Sequence, residues 1–132
     1  MDRKKSIIVC GPVIIENQKV LLIKEKKNDG ITPWFFPGGK VEGNETYEET
    51  CIRETKEEVG LDITIIKQLP TLHDFGQNGQ KITLIHFLAK TNGKVRTGKN
   101  VVEWSWFDIN SLPNDCAINV YEIITKSPIT RC

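Results

Sequence analysis

The apolar positions of this chain fall into short runs separated by polar and glycine-bearing stretches. Ile7 to Ile15 is almost continuously apolar and predicts a strand, with Pro12 placing it at an edge or a bulge because proline lacks the ladder N–H. Glu16-Asn17-Gln18-Lys19 predicts a hairpin turn into Val20-Leu21-Leu22-Ile23, a run typical of a buried strand. Lys24 to Gly30 is polar and predicts a loop, after which Trp34-Phe35-Phe36 leads into Pro37-Gly38-Gly39. Asp62 to Lys67 is β-branched and strand-like, Thr71 to Gln80 has the composition of an exposed loop, and Ile82 to Ala89 predicts another strand. A basic loop with Lys90, Lys94, Arg96 and Lys99, a short strand over Trp104–Phe107 and a helix over Asn119–Lys126 complete the pattern.

Between these strands one segment has the period of a helix. At about 3.6 residues per turn, Glu54, Glu57 and Glu58 stand at i, i+3 and i+4 and project from one face. Ile52, Thr55 and Val59 share a second face, expected to pack on the body of the protein, while Glu49, Arg53 and Lys56 face water or the preceding loop. Asn44 or Thr46 can cap the first turn, with Glu49 completing a capping box after Thr46. Gly60 is placed for a left-handed stop, followed by the apolar contact of Leu61. Upstream, Gly38 and Gly39 lack a β-carbon and let a ligand approach the backbone. Strands on both sides of this helix, with a second helix at the end, predict an α/β layered domain.

Carboxylates three and four residues apart on a helix repel by roughly 0.2–0.5 kcal/mol per pair. A face that accepts this cost needs a positive partner, and a hard divalent cation with oxygen ligands is the natural one. A glutamate-rich helix with Arg53 and Lys56 interspersed is otherwise a solvated face. The glycine turn, Arg53 and Gly60 all in register argue against that bland reading.

Composition narrows the classes. A chain of 132 residues, read as one domain over 1–132, is long enough for a proper core, and its formal charge of +1 gives no support to bulk electrostatic binding of nucleic acid. Arg3-Lys4-Lys5 before an apolar run imitates a signal peptide, but Gly11-Pro12 interrupts the run and no small-residue cleavage site follows. Nothing approaches the roughly 20 apolar residues of a membrane span. Cys10, Cys51, Cys116 and Cys132 lack paired zinc spacing and are read as reduced thiols of a cytoplasmic protein, which makes the Asn44-Glu45-Thr46 sequon accidental. Gly38-Gly39-Lys40 is not a P-loop, because Trp34 occupies the first glycine position and Val41 the Ser/Thr position.

With these residues in view, the segment from Gly39 to Leu61 resembles the signature of the Nudix hydrolases, filled in register by Gly39, Glu45, Arg53, Glu54, Glu57, Glu58, Gly60 and Leu61. Thr55 departs, standing in an apolar slot where its methyl can pack and its hydroxyl can bond the helix carbonyl behind it. Softer matches, in the Gln18–Ile23 hairpin and around Trp106-Phe107 and Leu112-Pro113, extend the resemblance over most of the chain. It implies an α/β/α sandwich with a mixed central sheet and Mg²⁺-dependent cleavage of a diphosphate linkage in a nucleoside diphosphate derivative, with Mn²⁺ as an alternative metal. Carried over position by position, Glu57, Glu58 and the Gly39 carbonyl are metal ligands, and Glu54 is a ligand or the general base. Arg53 and Glu45 form a pair that orients this catalytic cluster.

Outside the signature, Glu103 is a candidate ligand, base or substrate contact, against an exposed loop carboxylate, and Lys24 is a candidate phosphate contact, against a solvated charge. Trp34, Trp104 and Trp106 can stack on a base, although strand aromatics more often fill core. His73 and His86 are unclustered, which argues against a histidine metal site. The expected partner is a small-molecule nucleotide, with neither nucleic acid nor membrane, in a monomer or homodimer. A (deoxy)nucleoside triphosphate is the leading substrate class. ADP-ribose, dinucleoside polyphosphates and nucleotide sugars stay open, because loops such as Thr71–Gln80 lie outside the signature. The competing class is a non-catalytic nucleotide-sensing module.

Overall fold

The computed structural model of the chain describes residues 6–76 and 79–126; the Arg3-Lys4-Lys5 start and Cys132 lie outside them. Eight strands form one mixed sheet: β1 (Ile7–Glu16), β2 (Lys19–Lys27), β3 (Gly30–Ile31), β4 (Gly39–Lys40), β5 (Ile63–Gln68), β6 (Leu72–Phe75), β7 (Lys81–Thr91) and β8 (Val101–Asp108). Two helices, α1 (Tyr47–Val59) and α2 (Ile118–Lys126), cover its faces. The main path runs β3-β2-β1-β7-β5, with β8 on β2, β4 on β1 and β6 on β7. Among the named strand pairings of the described residues, only β1–β7, from Ile7↔Ile82 to Ile14↔Ala89, is parallel.

Alternation along the strands sorts the core into two layers. Val13, Val20, Leu22 and Leu88 meet Val120, Ile123 and Ile124 of α2. Cys10, Ile85 and Phe87 meet Cys51 of α1, and Ile14, Leu21, Ile23 and Ala89 meet Val59. The sheet is thus a middle layer between two helices, and each fully buried Val, Leu or Ile contributes roughly 1.5–3 kcal/mol.

Three sequence expectations are corrected and one is narrowed. Pro12 is not on an outer strand, since it pairs with Phe87 on one side, but its other side is a local edge without a ladder partner. On its other side β1 meets β4 only at Val9 and Cys10 and β2 only at Ile15 and Glu16, so Pro12 lies in the split between those contacts. Lys24–Lys27 is strand, because β8 pairs with Lys24 and Glu25 and β3 with Lys26 and Lys27, ladders that the charged sequence does not announce. Leu72–Phe75, inside the expected loop, is strand through pairing with β7. Ile52 is 45% exposed, and the packed stripe of α1 is Cys51, Thr55 and Val59, one step round the helix.

The hairpin turn forms as expected, with Asn17 and Gln18 at φ 53° and 68°, the left-handed pair that a two-residue turn requires. Among the described residues no helix is long and apolar enough to cross a membrane.

Candidate functional site

The split between β1 and β2 sets up the site. The segment from Trp34 to Lys40 passes through it, bridging Ile23 through Phe35 and pairing with β1 through Gly39 and Lys40. Here the chain passes close to β1: a β-carbon on Gly38, whose φ is 150°, would lie 2.6 Å from the Cys10 carbonyl oxygen. One side of the segment looks toward α1 and the other toward α2.

The acidic helix is fixed at both ends. Thr46 Oγ1 accepts from the Glu49 N–H at 3.0 Å, and Glu49 Oε1 accepts from the Thr46 N–H at 2.8 Å. Gly60, at φ 70°, donates to the Lys56 carbonyl. Beyond it, the Arg96 and Gly98 amides donate to the carbonyls of Val59 and Glu58, so the basic loop closes over the helix end. Thr55 turns its hydroxyl to the Cys51 carbonyl at 2.6 Å, which removes the polar penalty from a buried position.

Arg53 organises the carboxylates. Its Nε and Nη2 hold the two oxygens of Glu45 at 2.6 and 3.0 Å, Nη1 reaches Glu54 at 2.9 Å and Glu57 at 3.3 Å, and Nη2 also donates to the Lys40 carbonyl. Arg53, and then the Glu42 N–H, hold the Glu45 carboxyl down at about 2. Burial raises Glu54 against the pull of Arg53. Burial also raises Glu58 well above the usual carboxylate range; the adjacent Glu25 carboxyl adds to the rise, and the Gly38 N–H, donating to Glu58 Oε1 at 2.9 Å, opposes it.

Glu54, Glu57 and Glu58 line one cavity of about 260 Å³, closed by Gly98–Val101. Its fourth acid, Glu25, was read as part of a loop; the signal was its place two residues beyond Ile23, on the row Leu21–Ile23–Glu25. The donor set fits a hard divalent cation. It is all oxygen, and a β-carbon on Gly39 would lie 2.2 Å from the Glu54 carboxyl carbon, so the missing side chain is what admits the acid. Among the described residues no three of these groups already stand around one point, so coordination requires the glutamates to rotate inward.

Glu103 and Lys24 are placed elsewhere. They pair across β8 and β2 on the far side of a bulge from Glu25, on the face away from α1. Lys24 is held by Asp115 at 2.9 Å and lies 5.3 Å from the Trp34 ring centre, and neither residue lines the carboxylate cavity. Trp34 packs edge-on against Phe107.

A second cavity, about 280 Å³ and largely apolar, opens on the α2 side between Phe35, Phe36, Leu84 and Ala117. His86 and Asn119 line it, 3.1 Å apart through Nε2 and Nδ2. Burial lowers His86 to about 4, so the ring is neutral at physiological pH. Gly38 lines this cavity while its N–H holds Glu58 of the other.

Sequence comparison agrees with this geometry. The model of the NUDIX domain family matches residues 5–126. The chain belongs to the NUDIX family. This NUDIX domain is 38% identical over 109 residues to an ADP-ribose pyrophosphatase of Methanocaldococcus jannaschii, covering 80% of the chain and 64% of that protein. It is 39% identical over 91 residues to an 8-oxo-dGTP diphosphatase of Proteus vulgaris, covering 67% of the chain and 80% of that protein. The fold matches the crystal structure of a MutT NUDIX hydrolase from Burkholderia pseudomallei with a TM-score of 0.84 at 24% identity, covering 93% of this chain and 98% of that one.

Proposed function

We propose that this NUDIX domain hydrolyses the diphosphate linkage of a nucleoside diphosphate derivative, with (deoxy)nucleoside triphosphates yielding the monophosphate and pyrophosphate as the leading class. The observation that carries the reading is the link through Gly38, which lines the apolar cavity and whose N–H holds Glu58 of the carboxylate cavity. Glu57, Glu58 and the Gly39 carbonyl would hold Mg²⁺, or Mn²⁺, with Glu54 as ligand or general base. When bound, the ion neutralises the diphosphate and lowers the pKa of an attacking water. Arg53 keeps Glu54 and Glu57 oriented through its clamp on Glu45, as groups behind metal ligands commonly do. The apolar cavity takes the nucleoside. It falls just below the roughly 300–1,000 Å³ of ligand pockets, which suits one nucleoside better than two.

The Proteus relative supports a triphosphate substrate. The Methanocaldococcus relative favours a second reading, ADP-ribose. The buried, unpaired thiols Cys10 and Cys51 support a cytoplasmic setting. The test is release of phosphate and pyrophosphate with Mg²⁺ or Mn²⁺ across nucleoside triphosphates, ADP-ribose, dinucleoside polyphosphates and nucleotide sugars. Glu57→Gln is expected to reduce turnover by more than about 100-fold, beyond the loss from a group behind the ligands. Nucleotide binding without turnover on any substrate would overturn hydrolysis in favour of a sensing module.

A further inference from the structure

We propose that Glu25 is a metal ligand of this centre, delivered by β2 from outside the Gly39–Leu61 segment; the inference rests on the metal-hydrolase reading above. Leu21 and Ile23 of β2 point into the α1-side core, and the row continues into Glu25, which is only 5% exposed. A glutamate at the end of such a row ordinarily turns to water. Here the unbroken alternation of β2 keeps it toward α1, while β8 opposite absorbs one extra residue, Val102, between Glu103 and Val101.

Glu25 lines the cavity shared by Glu54, Glu57 and Glu58. A buried charge needs a partner. Lys27 Nζ supplies one at 3.1 Å from Glu25 Oε1, but its own side chain is 57% exposed and it approaches from solvent. Toward the cavity Glu25 faces Glu58, a second acid. Carboxylates that line one cavity repel one another, and a cation placed among them relieves that repulsion. In a centre whose donors are all oxygen, a hard divalent cation is the occupant that lets both acids ionise. Lys27 then remains at the rim, where it also lines the apolar cavity.

Mn²⁺ binding to the full chain without substrate, followed by electron paramagnetic resonance, tests this apart from turnover. Glu25→Gln is expected to weaken Mn²⁺ binding by about 10-fold or more with unchanged circular dichroism. Wild-type affinity in Glu25→Gln, while Glu57→Gln loses the ion, overturns the proposal and leaves the metal-hydrolase reading standing. Wild-type affinity in both variants overturns the two together. Should Glu25→Gln fail to fold, Lys27→Met decides. If Glu25 binds the ion, removing the competing ammonium tightens Mn²⁺ binding several-fold; unchanged affinity makes Glu25 the structural partner of Lys27 and overturns the proposal.

Discussion

The two cavities linked through Gly38 are built in opposite ways. The carboxylate cavity takes Glu54, Glu57 and Glu58 from one turn of one helix and adds Glu25 from a strand. The apolar cavity takes Gly11 from β1, Phe35 and Phe36 from the connection between β3 and β4, Leu84 and His86 from β7, and Asn119 from α2. Coordination needs a few oxygens at fixed separations, which a rigid helix supplies by itself. Fitting a nucleoside needs a continuous surface, which only the packed domain supplies.

That contrast can be broken at defined positions. Gly39→Ala places a β-carbon against the Glu54 carboxyl and should lower kcat by roughly 10–100-fold with little change in Tm. A matching loss of stability would mean that Gly39 serves packing instead. On the apolar side, His86 is held at about 4 by burial, below its ordinary value near 6.5. A depressed histidine leaves the fold at full stability above pH 6.5, and the stability falls as pH drops toward 4, by roughly 3 kcal/mol in all. The difference between urea melts of the wild type and of His86→Gln from pH 7 to 4.5 should show that slope, with the opposite contribution of the raised Glu58 common to both. Asn119→Ala should raise KM about 10-fold for the preferred nucleotide, the scale of one buried hydrogen bond, with kcat nearly constant. A fall in kcat alone would detach Asn119 from substrate binding. The smallest effect belongs to Ile52→Ala, expected within about 0.5 kcal/mol, against roughly 1.5–3 for Val59→Ala in the same helix. Equal losses in calorimetry would undo the placement of the buried stripe.

The helix was legible because its determinants are local. Thr46, Glu49 and Gly60 act within a turn of the backbone they cap, and Thr55 bonds the carbonyl four residues back. Its buried face was less legible: Thr55 and Val59 suit a stripe through Cys51 as well as one through Ile52, and the sheet chose Cys51. Lys26 and Lys27 pair with β3 close by; Lys24 and Glu25 became strand because β8 supplies a ladder far along the chain, and Leu72–Phe75 because β7 supplies another, information that no local composition carries. Glu25 was hidden for the same reason, since its burial follows from that pairing. His86 and Asn119 stand 33 positions apart and touch only in the folded chain.

The thiols behind the acidic helix offer a clock. Cys10 on β1 and Cys51 on α1 are fully buried in one cluster, and burial pushes them up to about 11 and about 12. Because alkylating reagents attack thiolates, both should stay silent at neutral pH until the helix lifts from the sheet. The rate at which they label would then count excursions of the metal-bearing helix in the native protein, from the side opposite its chemistry.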